Sequence, residues 1–596
     1  MISSHPLPLP ISWEECRDRG WDGIDILLVT GDAYIDHPSF GVALIGRFLE
    51  DHGYRVAILS QPRYTTNQDF LSYPAPRLFC GITAGNLDSI VANYTGNGKV
   101  RETDAYSPGG SPWRPGPQDK NNRYRPDRAT MIYANLARST YKNTAVILGG
   151  IEASLRRFMH YDYKQAKLRA SLLTDAKGDL LVYGMGERTV LEVARRCTQG
   201  KPLHSIQGSC ERLTEKELLD RYPDFSTTGN KNYLVLPSYH DITRDKNLFL
   251  DAEHEVDAHQ RANSQKIVFQ KQQNHWLVQH PASSPLTQNE LDHLYALPFT
   301  RKAYPAGSDI PAFRMIRNSV TIVRGCSGNC SFCAITRHQG AEVQSRSNPS
   351  IVQECKRISA ANDFDGTITD LGGPTANLFA TRCDIGGCKK RDCLFPEVCK
   401  HLHIDEKRFL QLLDSVASIP DIKHVFVSSG LRMELLLKTP DLLKKIATKH
   451  TPGALKIAPE HSCDDILELM HKEPHQLLQE FIRYCERQIG KKGKKLNLVP
   501  YVISSHPGST GKHASQLARD MKNLGLTISK FQDFTPTPGT LSTAMFVAER
   551  SRVTGKKIFV AKNSSDRKKQ RQIIEDHFHR RKKQSTGTVH KYRRKK

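Results

Sequence analysis

Apolar residues fall in short compact runs separated by amphipathic stretches, and this alternation occurs twice along the chain. In the first 200 residues the runs are 24–30, 54–59, 77–83, 145–149 and 180–184. The first ends in the turn Gly31-Asp32, and the stretch 42–52 after it keeps helical periodicity until Gly53. The last three each precede a glycine-containing turn and a helical segment. Strands alternating with helices predict a parallel sheet covered by helices, a flavodoxin-like or Rossmann-like unit over 1–200. After residue 320 the pattern resumes, with runs at 320–323, 366–371, 424–428, 454–458, 496–503 and 526–531. Helical segments such as 351–361, 408–418 and 441–449 lie between them. Six β/α units over 311–550 predict an incomplete barrel of the TIM type, with its active site at the carboxyl ends of the strands. The predicted fold class is α/β.

Two stretches break the alternation. Residues 201–310 are more polar and read as a bridge between the units. A hairpin at 266–278 turns at Gln272-Gln273-Asn274, and Thr287 with Glu290 forms a capping box opening a short helix. Residues 104–128 are rich in Gly, Pro and Asn, carry Trp113 and several arginines, and read as a mobile surface loop.

Length and charge refine this division. A chain of 596 residues exceeds one core, so three or more units are expected. No run reaches the roughly 18 apolar residues of a membrane span. The first residues lack the basic and apolar regions of a secretory signal, so the fourteen cysteines point to a reducing cytoplasm. The net charge of +24 suggests nucleic acid until it is located. Residues 551–596 hold 17 Lys and Arg against 3 Asp and Glu, so this segment alone accounts for +14. With few apolar residues it reads as a disordered basic tail, a loose electrostatic contact for RNA or ribosomes.

The chemistry concentrates in Arg324-Gly325-Cys326-Ser327-Gly328-Asn329-Cys330-Ser331-Phe332-Cys333, directly after an apolar run. Cys326, Cys330 and Cys333 stand at C-x3-C-x2-C, and Gly325 and Gly328 permit the tight turns of a wrapped cofactor. Three thiolates can hold three corners of a [4Fe–4S] cube and leave one iron open. Zinc with His338 as fourth ligand, or thiols that only pack, are the competing readings. A second set, Cys383, Cys388, Cys393 and Cys399, lies between the second and third barrel strands at x4, x4 and x5 spacing. Four cysteines in a short loop with glycines and a proline point to a metal, an auxiliary iron–sulfur cluster or a structural zinc.

The first loop, the turn Gly372-Gly373-Pro374-Thr375-Ala376-Asn377, the second cysteine set, 456–461 and 504–508 resemble the YgiQ group of the radical S-adenosylmethionine (SAM) superfamily, from about residue 5 to 550. The resemblance implies an enzyme in which Cys326, Cys330 and Cys333 hold a [4Fe–4S] cluster. That cluster reductively cleaves SAM to a 5′-deoxyadenosyl radical, which abstracts hydrogen from a substrate. It places Phe332 near the adenine, the backbone of Gly372, Gly373 and Pro374 at the methionyl amine, and Arg432 at the SAM carboxylate. Pro374 stands where an acidic residue is usual, so only the backbone role carries over. Glu460, His461 and His506 end later strands and are candidates to face substrate. A flavodoxin or ferredoxin is the expected electron donor.

The N-terminal unit resembles the cobalamin-binding-type domains that precede many radical SAM barrels, where D-x-H-x-x-G supplies a cobalt ligand. Here Asp36 and His37 are adjacent and Gly41 follows, so His37 reads as a turn residue. The broken pattern makes a vestigial or substrate-facing domain the favoured reading, with bound cobalamin the less favoured alternative. Two alternatives remain: a non-catalytic, zinc-stabilised RNA-binding protein, and a radical SAM methyl- or methylthiotransferase acting on RNA or protein.

Overall fold

The computed structural model describes residues 6–226, 230–388, 390–489, 496–528 and 531–584. Ile26–Thr30 (β1) is buried at every position, as a strand covered on both faces must be. Around it stand β2 (Val56–Ser60), β3 (Phe79–Thr83), β4 (Ala145–Leu148) and β5 (Leu180–Val182). They run parallel in the order β2-β1-β3-β4-β5, that of a flavodoxin-like doubly wound sheet, which switches direction between β1 and β3.

The stretch 201–310 is more than a bridge, which corrects the sequence expectation. It adds β6 (Ser209–Leu213), β7 (Tyr233–Leu236), β8 (Ile267–Gln272) and β9 (His275–Gln279) to the edge beyond β5, in the order β5-β6-β9-β8-β7. The β8–β9 hairpin and the Thr287–Glu290 capping box form as expected. The polar look of the region has a physical cause. Gln270, Gln272 and Gln279 are buried and bonded to the amides of Met159 (3.0 Å) and Ser171 (2.7 Å) and to the Arg157 side chain (2.7 Å). Buried glutamines interrupt the apolar alternation without ending the strand.

The 104–128 segment is ordered, a second correction. Arg123 lies over the rings of Trp113 (4.9 Å) and Tyr94 (5.1 Å). Arg125 is buried between Asp32 (2.6 Å) and Asp104 (3.0 Å). Its arginines are used inside the fold rather than offered to a ligand.

The barrel strands are β10 (Ser319–Thr321), β11 (Thr367–Ile368) continuing past Thr369 as β12 (Asp370–Gly372), β13 (His424–Val425), β14 (Leu455–Glu460), β15 (Leu498–Ser504) and β16 (Gln532–Asp533). Parallel pairing links β10–β12, β11–β13, β14–β15 and β15–β16, and a Leu431–Ile457 bridge joins the two halves. The result is an open six-unit arc. The predicted sixth strand is displaced: Leu526 and Ile528 are core residues, 529–530 lie outside the described residues, and the pairing strand follows them.

The tail expectation holds for none of its first half. Ser564–Gln584 is a helix packed on Gly511–Asn523. Ile574 is buried, Ile573 and Phe578 pack against the barrel core, and Gln570 exchanges hydrogen bonds with Ser509. One narrow apolar stripe suffices because the helix needs only one contact face. Residues 585–596 lie outside the described residues. Among the described residues no helix is long and apolar enough to cross a membrane.

Candidate active site

The carboxyl ends of the two units face each other. Arg324, directly after β10, is buried and pairs with Glu187 (2.7 Å) after β5, while its Nε donates to the Tyr295 hydroxyl (2.9 Å). His338 lies 3.0 Å from the Ser154 hydroxyl, and Arg337 pairs with Glu253 (3.1 Å). Between the faces is a cavity of about 460 Å³. Thr30, Gly85, Gly150 and Gly184 line it from the sheet, and Arg324, His338 and Gly373 from the barrel. It therefore spans the position where doubly wound sheets and TIM-type barrels each place ligands.

The cysteine loop begins at Gly325, after the short strand Val323–Arg324 that follows β10, and the φ of 76° at Gly325 puts a would-be Cβ onto the Glu342 carbonyl. Only glycine fits there. Cys326 Sγ lies 3.7 Å from Thr375 Oγ1, and the Cys330 sulfur receives a hydrogen bond from Arg432 Nη1 at 3.3 Å. The Cys333 amide donates to the Cys330 carbonyl (3.0 Å). The Ser331 amide donates to Met470 (2.9 Å) and its carbonyl accepts from Ser542 (2.9 Å), so the loop is clasped by later barrel segments. Burial raises the Cys330 thiol against the pull of Arg432, and burial with Cys330 nearby pushes Cys333 up to about 12.

Thiols so buried ionise only when a positive centre compensates them. Among the described residues no three His, Cys, Asp or Glu side chains are already gathered at metal-ligating geometry. The donor chemistry nevertheless fits an iron–sulfur group: three thiols on one clasped loop, each within electrostatic reach of the next. Ser327 Oγ, Asn329 Oδ1 and Ser505 Oγ are buried without a hydrogen-bond partner, as a site built for a polar occupant leaves them.

Gly372 and Gly373 end β12 against this loop. A Cβ on Gly372 would overlap the Ser429 hydroxyl and the Asp370 carboxylate, and one on Gly373 the Val323 carbonyl. Gly373 and Pro374 line the cavity. Asp370, which the sequence did not single out, accepts from the amides of Ser428 (2.7 Å) and Ser429 (3.1 Å) and ties the ends of the second and third strands together.

Arg432 departs from expectation. Its Nε donates to Glu434 (2.5 Å), Nη2 lies 3.6 Å from Glu473, and Nη1 reaches Cys330. The guanidinium expected at the SAM carboxylate is already committed behind the cysteine loop. Glu473 also pairs with buried Lys472 (2.9 Å). This charged cluster was invisible in sequence because its members come from separate elements. Its one clue is Lys472-Glu473 after a helix.

The three other candidates separate. Glu460 is half-buried at φ 63°, and desolvation pushes its carboxyl up to about 7 against the pull of Lys472. His461 is structural: its Nδ1 accepts the Ser462 (2.9 Å) and Cys463 (3.0 Å) amides. His506 lies 2.7 Å from the Ser542 hydroxyl and edge-on to Phe332, whose ring is 6.4 Å away. His338 has its Nδ1 against Ser154 and lines the cavity, and among the described residues it is not gathered with the cysteines into a ligand group. His37 is fully buried, its Nδ1 accepting the Ser39 amide (3.1 Å) and its Nε2 lying 2.8 Å from Arg301, in keeping with a turn residue. Cys383, Cys388, Cys393 and Cys399 lie on a separate excursion beside the first loop. All fourteen cysteines are free.

The whole of this architecture has relatives. Residues 8–319 match the family model described as Radical SAM N-terminal, and 320–520 match Radical SAM superfamily. A UPF0313 protein of Thermotoga neapolitana is 42% identical over 578 residues, covering 95% of this chain and 98% of its own length. One from Clostridium botulinum is 40% identical, covering 94% and 87%. Among solved structures, the radical SAM methyltransferase TsrM from Kitasatospora setae, with tryptophan and a SAM analogue bound, aligns at TM-score 0.48 and 14% identity. That alignment covers 86% of this chain and 74% of TsrM. The cobalamin-dependent SAM radical enzyme OxsB, with aqua-cobalamin and SAM bound, aligns at 0.47 and 10%, covering 94% and 57%. Family membership implies a [4Fe–4S] cluster and SAM, and it sets aside the non-catalytic zinc alternative. The chain is a radical SAM enzyme of the UPF0313, or YgiQ-type, group.

Proposed function

We propose that this enzyme cleaves SAM at a [4Fe–4S] cluster held by Cys326, Cys330 and Cys333, and uses the radical to abstract hydrogen from a substrate held between the two units. The observation that carries this reading is the juxtaposition of three clasped thiols, the Gly372-Gly373 turn and a cavity shared by both carboxyl faces. The cluster supplies the single electron that breaks the C5′–S bond. The protein's own residues do the rest. Arg432 stabilises sulfur charge at Cys330 by a charge-assisted hydrogen bond. The Gly372-Gly373-Pro374 backbone offers close approach to the methionyl amine, and Phe332 offers an apolar surface to the adenine. Glu460, protonated below about pH 7, is the group positioned to move a proton near the thiols. A flavodoxin- or ferredoxin-type donor belongs to the same reading.

A second reading, methyl transfer through cobalamin, is favoured by the cavity's place at the sheet's switch point. It would use no ligand from His37, whose imidazole is occupied. Anaerobic reconstitution with iron and sulfide, followed by assay of 5′-deoxyadenosine and of cobalamin retention, tests both. Release of 5′-deoxyadenosine without retained cobalamin supports the first, and absence of SAM cleavage sinks it.

A further inference from the structure

The second cysteine set lies on an excursion that leaves and re-enters the barrel through an antiparallel pair, Thr381–Cys383 with Leu402–Ile404. Between these strands the described residues form no helix or strand, and among them only Leu394 is buried. A segment of this length without regular structure or a core of its own needs another staple. Its hydrogen bonds link the cysteine positions, mostly through the backbone, while among the described residues the four sulfurs are not at metal-ligating geometry. The Arg391 amide donates to Cys388 Sγ (3.4 Å), the Cys399 amide to the Cys393 carbonyl (2.8 Å), and the Leu402 amide to the Cys399 carbonyl (3.0 Å). Cys399, Cys383 and Cys388 all act electrostatically on the Cys393 thiol. Arg382, Lys390, Arg391, Lys400, His401 and His403 interleave with them, against Asp384, Asp392 and Glu397. Asp392 is already taken by Arg261 (2.8 Å) and His471 (3.1 Å). The surroundings thus suit the net negative charge of a centre with four thiolates.

The excursion also touches the first cysteine loop. The Arg391 carbonyl accepts a hydrogen bond from Asn329 Nδ2 at 2.8 Å, and Asn329 is the neighbour of Cys330 at a φ of 49°. The Arg391 guanidinium reaches Glu342 (3.0 Å), whose carbonyl flanks Gly325. Arg391 therefore bonds the Asn329 end of the turn directly and pairs with Glu342, whose backbone lies against Gly325 at the other end.

We propose that Cys383, Cys388, Cys393 and Cys399 form a tetrathiolate site for a soft metal centre, an iron–sulfur cluster or a zinc ion, that braces the Cys326–Cys333 loop through Arg391. Binding releases the four thiol protons to solvent and orders the excursion around the metal. No reductant or oxidant is required for the brace to act. A site completed by its metal also accounts for thiols that share a loop without yet being gathered.

The test measures iron, sulfide and zinc per chain on full-length protein purified anaerobically. Three forms are compared: wild type, the Cys326→Ala/Cys330→Ala/Cys333→Ala variant, and Cys393→Ser/Cys399→Ser. The triple variant is expected to keep either brown iron–sulfur absorption or colourless stoichiometric zinc, which identifies the centre. The double variant is expected to lose that metal and keep the [4Fe–4S] complement of the first loop. Alkylation mapping of metal-loaded wild type avoids reliance on variants that fail to fold: the four cysteines should be protected, and should react after chelation. A triple variant free of both iron and zinc, freely reactive thiols in the loaded protein, or disulfides among the four would overturn the proposal. These readouts are independent of SAM cleavage.

Discussion

The two cysteine loops sit side by side and are built in opposite ways. Cys326–Cys333 is clasped by Met470, Ser542 and Arg432, sits over a buried cluster of Glu434, Lys472 and Glu473, and lies beside the Gly373-Pro374 turn that lines the cavity. Cys383–Cys399 is peripheral, with Cys388 exposed and Leu394 its one buried side chain among the described residues. A reactive centre needs a dry, pre-built surrounding, because charges there must not wait for water to reorganise. A bracing centre needs only ligands and an anchor. Under the proposed function, the contrast suits the first loop to chemistry and the second to support.

The largest effect should separate the loops outright. Cys330→Ala should abolish 5′-deoxyadenosine formation, whereas Cys388→Ser should lower it roughly 10–100-fold, the usual scale for losing support around a metal site. Equal, complete loss in both would erase the distinction. Next come the ion pairs. Arg432→Met leaves Glu434 buried without its cation and Glu473 with Lys472 alone, and should cost about 3–5 kcal/mol in denaturant unfolding. Arg382→Met, which breaks the exposed Arg382–Asp384 pair at 3.6 Å, should cost less than about 1 kcal/mol.

Acid should also discriminate. Burial pulls His338 down to about 4, and His461 and His506 to about 3. A histidine lowered in the fold takes its proton mainly after unfolding, so the unfolded chain binds more protons below pH 6.5. Stability should therefore fall as pH drops from about 6.5 to 4, by up to about 3 kcal/mol for His338. His338→Gln should remove that share of the slope in pH-dependent melts. An unchanged slope would mean that His338 takes up its proton equally in the folded and unfolded chain. The smallest effect tests the link between loops: Asn329→Gly keeps the positive φ but loses the Arg391 bond, and should cost roughly 1 kcal/mol.

Much of the fold was legible because parallel strands buried on both faces leave continuous apolar runs. β1, β3 and the cysteine loop after β10 lie where those runs placed them. What stayed hidden is polar burial. Gln270, Gln272 and Gln279 made a stretch that extends the main sheet read as a bridge, Arg123 and Arg125 lie buried in a segment whose glycines and prolines read as mobile, and Ile573, Ile574 and Phe578 were too few to reveal a docked helix among lysines. The same cause misdirected Arg432. A lone arginine after a strand suggests a ligand partner, and only tertiary structure brings Glu434, Glu473 and Cys330 against it.

The most direct test is 5′-deoxyadenosine release from SAM by the reduced, anaerobically reconstituted wild type beside Cys330→Ala. The account predicts turnover in the first and none in the second. Equal release from both, or none from a fully iron-loaded wild type, would contradict it.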